Sequence, residues 1–325
     1  MKLSVAICTY NCERFIREQI ESILNQDCPV DEIVLGDDGS KDKTVKIARE
    51  ILEAGKIPYK IILNTTNLGY RKNFEKTISE TTGDIIFLSD QDDVWKKEKV
   101  STLKKYFVDN PKCLMAFSNA DIVDENLNKQ RISLWEAVSL DKDKKKINEW
   151  ELLFLKGGYV TGAAAVIRRS LFKQALPFSE VCVHDAWLAI VAALQEGIVA
   201  VPEKLFLYRQ HTANQIGVNY SIKDRLMTKK KILLNLSKKQ IEEHQSKSIM
   251  FKEIRESFKD FIDKNTGFKV QLDACVMFHE ELAQMKQLSK VNRLKTVKKH
   301  WMNRDYDRFA KTRGMLIGDI LCAIF

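Results

Sequence analysis

The stretch Glu32-Ile33-Val34-Leu35-Gly36-Asp37-Asp38-Gly39-Ser40 decides the fold. Residues 32–36 form a short apolar run bounded by a turn signal, the pattern of a strand buried on both faces. The run stops on two carboxylates, a glycine and a serine, and a helical pattern follows at residues 44–52. A strand that passes to a helix through an acidic turn is one βα step. The same step precedes it: residues 3–8 are apolar, and Phe15, Ile16, Ile20, Ile23 and Leu24 fall at helical spacing within residues 12–24. The rhythm continues through residues 60–63 and 74–78, a strand at 84–88, a helix over 100–107 and a strand at 114–118. This alternation predicts an α/β, Rossmann-like sheet, mixed but mostly parallel and flanked by helices. Ligands of such sheets sit beyond the carboxyl ends of the strands.

The 325 residues include 45 % hydrophobic side chains, which excludes a largely disordered chain. Seven scattered cysteines fit neither a disulfide framework nor a Cys-x-x-Cys metal pair, and read as neutral thiols of a reducing, cytoplasmic compartment. No apolar run is long enough to span a bilayer, and residues 3–8 read as a first buried strand rather than a signal peptide. Charge is unevenly spread. Residues 1–222 carry 30 Lys+Arg and 31 Asp+Glu, net −1, whereas residues 223–325 carry 23 and 13, net +10. Two parts are therefore expected: a neutral body, 1–222, and a basic helical appendage, 223–325.

Acids cluster where ligands are expected. The second strand ends in Asp37-Asp38-Gly39-Ser40 and the strand at 84–88 runs into Ser89-Asp90-Gln91-Asp92-Asp93. Either cluster alone could be an Asx turn or helix cap. Two at one sheet edge repel unless a cation or hydrogen-bonding ligand lies between them, and a hard divalent metal shared with diphosphate oxygens resolves this. Later, His184-Asp185 opens an apolar helical run, which reads as a cap or as a carboxylate base at the floor of a cleft. Tyr208-Arg209-Gln210-His211 follows a strand-like region at 199–207, where His211 is a candidate metal or phosphate contact. No Gly-x-x-x-x-Gly-Lys or Gly-x-Gly-x-x-Gly motif occurs, so kinase and dehydrogenase readings lose their support.

With these pieces in order, residues 3–217 resemble the successive motifs of family 2 glycosyltransferases: Ser4-Val5-Ala6-Ile7-Cys8-Thr9-Tyr10-Asn11, then Asp37-Asp38-Gly39-Ser40, Asn67-Leu68-Gly69, and Ser89-Asp90-Gln91-Asp92-Asp93-Val94-Trp95. Together with His184-Asp185-x-Trp187 and the string from Tyr208 through His211 to Asn214 and Gly217, they look most like bacterial rhamnosyltransferases of polysaccharide assembly. The resemblance implies a GT-A fold and an inverting, metal-assisted transfer from a nucleoside-diphosphate sugar. Its implied cofactor is a divalent metal, Mn²⁺ or Mg²⁺. By position, Thr9 and Tyr10 line the base pocket, Asp38 accepts the base N3–H, Asp90 approaches the ribose or metal, and Lys72 and Asn73 lie near the diphosphate. Asp92 is the implied metal ligand, with Asp93 as its alternative and His211 as a further contact. Asp185 is the implied general base, and His184 and Trp187 lie beside it towards the acceptor. Asp121 and Asp124, placed just past the strand at 114–118, are further acceptor candidates, with turn-forming acids as the plain reading.

The tail stands outside those motifs. Across residues 288–309, Leu288, Val291, Leu294, Val297, Trp301 and Phe309 are expected near one helical face amid lysines and arginines. Such a segment suits an anionic membrane surface or, equally, a helical hairpin packed on the body. Without aromatic–basic interleaving or a base-reading module, nucleic acid is not the expected partner. The chain also lacks the transmembrane helices and Gln-x-x-Arg-Trp motif of processive polysaccharide synthases. The expected activity is transfer of L-rhamnose from dTDP-L-rhamnose to a glycan or polyprenyl-linked acceptor, at the cytoplasmic face of the membrane. A UDP-hexose-dependent transferase and a non-catalytic sugar-nucleotide-binding scaffold are the competing readings.

Overall fold

The computed structural model of the protein describes residues 1–138, 140, 160–211, 229–310 and 313–324. The expected boundary at 222, with Asn214 and Gly217, lies outside them. The chain divides into two compact units, one holding the sheet and the first seven helices, the other the helices from Lys229 onward.

The first unit opens with β1 (Leu3–Thr9), α1 (Ile16–Leu24), β2 (Glu32–Asp37), α2 (Thr44–Ala54), β3 (Tyr59–Leu63), α3 (Tyr70–Ser79) and β4 (Ile85–Ser89). Next come β5 (Val94–Trp95), α4 (Lys99–Asp109), β6 (Met115–Val123), β7 (Lys129–Ser133) and α5 (Leu134–Ala137). It closes with β8 (Ala165–Arg168), α6 (Arg169–Ala175), α7 (His184–Ala193) and β9 (Ile198–Arg209). The strands form one sheet in the order β3-β2-β1-β4-β8-β6-β9-β5, with β7 on β6. The first four run parallel; β8 is antiparallel to β4 and β6, and β9 runs parallel to β6. Every residue of β1, β4 and β6 is buried, as continuous apolar runs require of strands covered on both faces.

Register aligns the acidic clusters. Thr9 pairs with Asp37 and Ile7 with Ser89, so β2 and β4 deliver their terminal acids to the same edge on either side of β1. The clusters thus flank β1. Three boundaries differ from expectation. The first helix begins at Ile16, not at 12, because the loop before it is held by its neighbour: Asn11 N–H donates to Ser40 Oγ and Cys12 N–H to Thr44 Oγ1. β6 runs on to Val123, so Asp121 lies inside the strand, while Asp124 accepts from Asn126 and Asn128 N–H in the turn that follows. β9 extends to Arg209 and carries the polar string up to the same edge.

None of the seven cysteines forms a disulfide, and burial pushes the Cys113 thiol up to about 12, which matches inert core thiols. The second unit consists of α8 (Lys229–Ser257), α9 (Lys259–Lys264), α10 (Thr266–Ala283), α11 (Lys290–Met302), α12 (Asp305–Phe309) and α13 (Arg313–Ile324). Its core includes a buried polar chain in which Tyr306 Oη donates to Asp319, whose carboxylate also meets His244 Nε2 at 3.1 Å. Among the described residues, no helix is long and apolar enough to cross a membrane.

Candidate active site

Asp37 and Asp38 have different tasks. Asp37 Oδ1 accepts the N–H groups of Gly39 and Ser40, and its Oδ2 accepts the Thr9 hydroxyl. Gly39 has φ +86°, a conformation glycine adopts without steric penalty, so the chain can turn tightly beneath the carboxylate. Asp38 accepts from Asn64 Nδ2 and from the N–H groups of Leu68 and Gly69 at 2.8–3.0 Å. It therefore fixes the loop leading into α3. Asn73, expected near a diphosphate, is buried and ties α3 to β2 by donating to Gly36 O and accepting from Asn64. Lys72 is exposed in the first turn of that helix. The Tyr10 ring is exposed at the mouth of β1, while its peptide exchanges hydrogen bonds with the Gln91 side chain, joining the first loop to the acidic motif.

Beyond β4 the acids converge. His211 Nε2 stands 2.8 Å from Asp92 Oδ2, and the His211 ring lies against Phe15. Arg209 is buried and holds this corner together. Its backbone N–H donates to Asp93 Oδ1, its Nε to Asp92 O and a terminal nitrogen to Glu125 O, with Glu18 as its ion-pair partner. Asp93 is thus turned to the β9 backbone, and among the described residues its buried Oδ2 has no hydrogen-bond partner. Desolvation, then the charges of Asp92 and Asp185, push the Asp90 carboxyl up to about 7, with Lys99 opposing. Desolvation, Asp92 and Asp90 likewise hold the Asp93 carboxyl well above its usual range.

Asp185, half-buried in the first turn of α7, accepts the Gly162 N–H on Oδ2 at 2.8 Å and the Ala186 N–H on Oδ1 at 2.7 Å. Its negative charge is favoured at a helix N-terminus. His184 and Trp187, expected near the acceptor, are buried instead. The His184 imidazole stacks on Phe74 at 4.1 Å, and burial holds it below its ordinary pKa, with Asp185 opposing. The Trp187 indole donates to Ala175 O. Both follow from an α7 that is apolar on nearly every side and sinks into the core. Asp121 also has other company: Lys96, Lys129 and Lys204 each reach it at 3.0 Å. Partial burial would raise its carboxyl, but the three ammonium groups hold it well below the usual range.

Two residues the motif reading left without roles complete the cluster. Arg209 was in view without a task. Lys99 is fully buried, donates to Ala163 O at 2.8 Å and lies over the rings of Trp95 and Phe206. Burial brings its ammonium down to about 7, with Asp93 and Asp90 opposing. The available signal was its place on the buried stripe Lys99, Leu103 and Phe107 of α4.

A carboxylate oxygen and an imidazole nitrogen lie side by side, with an unpartnered buried carboxylate oxygen nearby in sequence. No group of three or more such side chains forms a closed cage among the described residues. One or two carboxylates, with substrate phosphates completing the shell, are what Mg²⁺-type sites use; Asp92 fits that pattern, and His211 would add a nitrogen donor to it.

The family model for glycosyl transferase family 2 matches residues 4–176, more than half of the chain. The protein belongs to glycosyl transferase family 2. This glycosyltransferase is 30 % identical over 234 residues to the dTDP-rhamnosyl transferase RfbG of Shigella flexneri, a match covering 67 % of this chain and 75 % of that protein. It is 26 % identical over 216 residues to an uncharacterized protein of Mycobacterium tuberculosis, of which the match spans 59 %. Among solved structures, Staphylococcus aureus TarS 1–349 in complex with UDP-GlcNAc superposes with a TM-score of 0.58 at 16 % identity, over 100 % of this chain and 90 % of that one. The mannosyltransferase PcManGT from Pyrobaculum calidifontis, in complex with GDP-Man and Mn²⁺, gives 0.53 at 16 % identity, over 100 % and 87 %. At such identities the likeness speaks for the fold, and the family 2 transferase has the expected GT-A fold with helices at its C-terminal end.

Proposed function

We propose that the protein is an inverting glycosyltransferase that moves L-rhamnose from dTDP-L-rhamnose to a glycan or polyprenyl-linked acceptor in bacterial surface polysaccharide assembly. The observations that support this reading are the Asp92–His211 pair at 2.8 Å past β4 and the Asp185 carboxylate held by the N–H groups of Gly162 and Ala186. The dTDP-rhamnosyl name of the Shigella flexneri relative supports the donor.

In this reading Tyr10 packs on the base, Asp38 shapes the loop that receives the nucleotide, and Lys72 faces the diphosphate. Asp92 and His211 would hold the divalent metal, Mn²⁺ or Mg²⁺, which would supply Lewis-acid neutralisation of the departing diphosphate. Asp185 takes the proton from the acceptor hydroxyl as the oxygen attacks the anomeric carbon opposite the leaving diphosphate. The N–H groups of Gly162 and Ala186 fix its orientation. A single displacement needs only this one base, unlike the carboxylate pair of retaining glycosidases. A polyprenyl-linked acceptor puts the reaction at the cytoplasmic face of the membrane, with the enzyme bound peripherally.

The test is transfer from dTDP-L-rhamnose and from UDP-hexoses to acceptors extracted from membranes. Rhamnose transfer that Asp185→Asn abolishes while nucleotide binding persists supports the reading. Transfer only from a UDP-hexose overturns the donor, and nucleotide binding without transfer from any donor favours the scaffold.

A further inference from the structure

Two helices of the second unit turn large apolar side chains to solvent. On α11, Val297 and His300 are buried, while Val291, Leu294, Trp301 and Met302 are 42–66 % exposed. At about 100° per residue the exposed four cover one arc beside the buried pair, with Leu294 and Trp301 next to Val297 and with Val291 and Met302 farther round. The single apolar face expected across residues 288–309 is kept within α11, where Leu294, Val297 and Trp301 fall on neighbouring positions and Val297 alone of the three is buried, but it does not continue to Phe309. The helix ends before Arg304, which has φ +60°, and Phe309 lies buried on α12. On α13, Met315, Asp319, Cys322 and Ala323 face the core, and Ile317 and Ile320 face outward. The two helices are joined where Arg293 donates to Cys322 O.

Scattered surface apolar residues are ordinary, but rows of them on two joined helices, set among cations, are not. Lys298 falls between Leu294 and Val291 on the outward face of α11, with Lys290 and Lys295 at its margins, all exposed. α11 carries five Lys and Arg and no acidic residue. A protein partner is a poor match, because interface cores are depleted in lysine and a second copy would set like charges together. An anionic bilayer matches both features: tryptophan and aliphatic side chains enter the headgroup boundary, and the ammonium groups meet lipid phosphates.

We propose that the outward faces of α11 and α13 seat this protein on an anionic lipid surface. The inference gives the peripheral placement a surface and rests on that placement alone; it is independent of the donor. The experiment is co-sedimentation of the full chain with phosphatidylcholine vesicles, with and without phosphatidylglycerol, at low and high salt. The expected result is binding confined to the anionic vesicles and weakened by salt. The double variant Lys295→Gln/Lys298→Gln is expected to weaken it about 30-fold, and Leu294→Ser/Trp301→Ser to abolish it, with dTDP binding unchanged in both. Equal binding of the wild-type chain to neutral vesicles, or retention by the apolar double variant, overturns the proposal. So does a dimer that this variant dissociates in the absence of any vesicle binding. Failure of rhamnose transfer with vesicle binding intact would overturn only the donor reading.

Discussion

Gly162 donates its backbone N–H to Asp185 Oδ2 at 2.8 Å, and a Cβ placed on Gly162 would lie 2.8 Å from His184 Nε2. The turn can therefore approach α7 only as glycine, and that approach aims the carboxylate. Gly162→Ala is expected to push α7 back and lower kcat by about 100-fold, the scale of a 1 Å misplacement. Its KM for the donor should stay within about twofold, because the nucleotide contacts lie elsewhere. Steady-state kinetics on the two substrates separates these effects.

Asp185→Asn keeps the size and one acceptor oxygen but removes the base. The expected loss is about 10²–10⁴-fold in kcat, with donor affinity near wild type. A parallel fall in donor affinity, read by calorimetry, would refute the assignment.

The Asp92–His211 pair predicts the opposite division. Asp92→Ala and His211→Ala should each weaken donor binding in the presence of Mn²⁺ while leaving the metal-free affinity unchanged. The control is Asp93→Asn, whose carboxyl is turned to the Arg209 backbone and should change metal dependence little.

Lys99→Met removes an ammonium that lowers both the Asp90 and the Asp93 carboxyls, and leaves Ala163 O without its ammonium donor. Breaking such a buried contact costs about 3 kcal/mol. Lys99 also draws the Asp90 carboxyl down, so without it that carboxyl titrates still higher than about 7. The alkaline shift in the pH at which donor binding develops, followed by calorimetry, checks the electrostatic part apart from stability.

Glu32 gives a pH signature outside the site. Burial raises its carboxyl, but hydrogen bonds from Ser4 and from the Thr82 hydroxyl and N–H, with the Lys2 ammonium, hold it at about 2. Its folded pKa lies below the unfolded value of about 4.3, so its contribution is complete above that value and is lost as pH falls towards 2. Glu32→Gln should flatten the stability loss over this window, as measured by urea unfolding at a series of pH values.

Much of this was legible in the sequence. Apolar runs ending on acids fixed the parallel core and its carboxyl edge, since a strand buried on both faces has little else to be. Asp92, His211 and Asp185 were named from the family resemblance, at places where a strand or helix meets polar chain. Less legible was which polar residue faces the cleft and which braces it. Asp38, Asn73, Thr9 and Trp187 spend their polar atoms on loops and helices, a matter of tertiary packing that spacing does not encode. The split of the tail at Arg304 was hidden for the same reason, because Val297 and Trp301 look alike until a core claims one of them.

The central claim is a metal-dependent nucleotide site at the edge of β1, β2 and β4. Calorimetric titration of the full chain with dTDP and with UDP, each with Mn²⁺ and with EDTA, tests it most directly. The account predicts tighter binding of dTDP than of UDP, dependent on Mn²⁺ and lost on chelation. Binding of dTDP that is unaffected by EDTA, or a site that takes neither nucleotide under any condition, would contradict it.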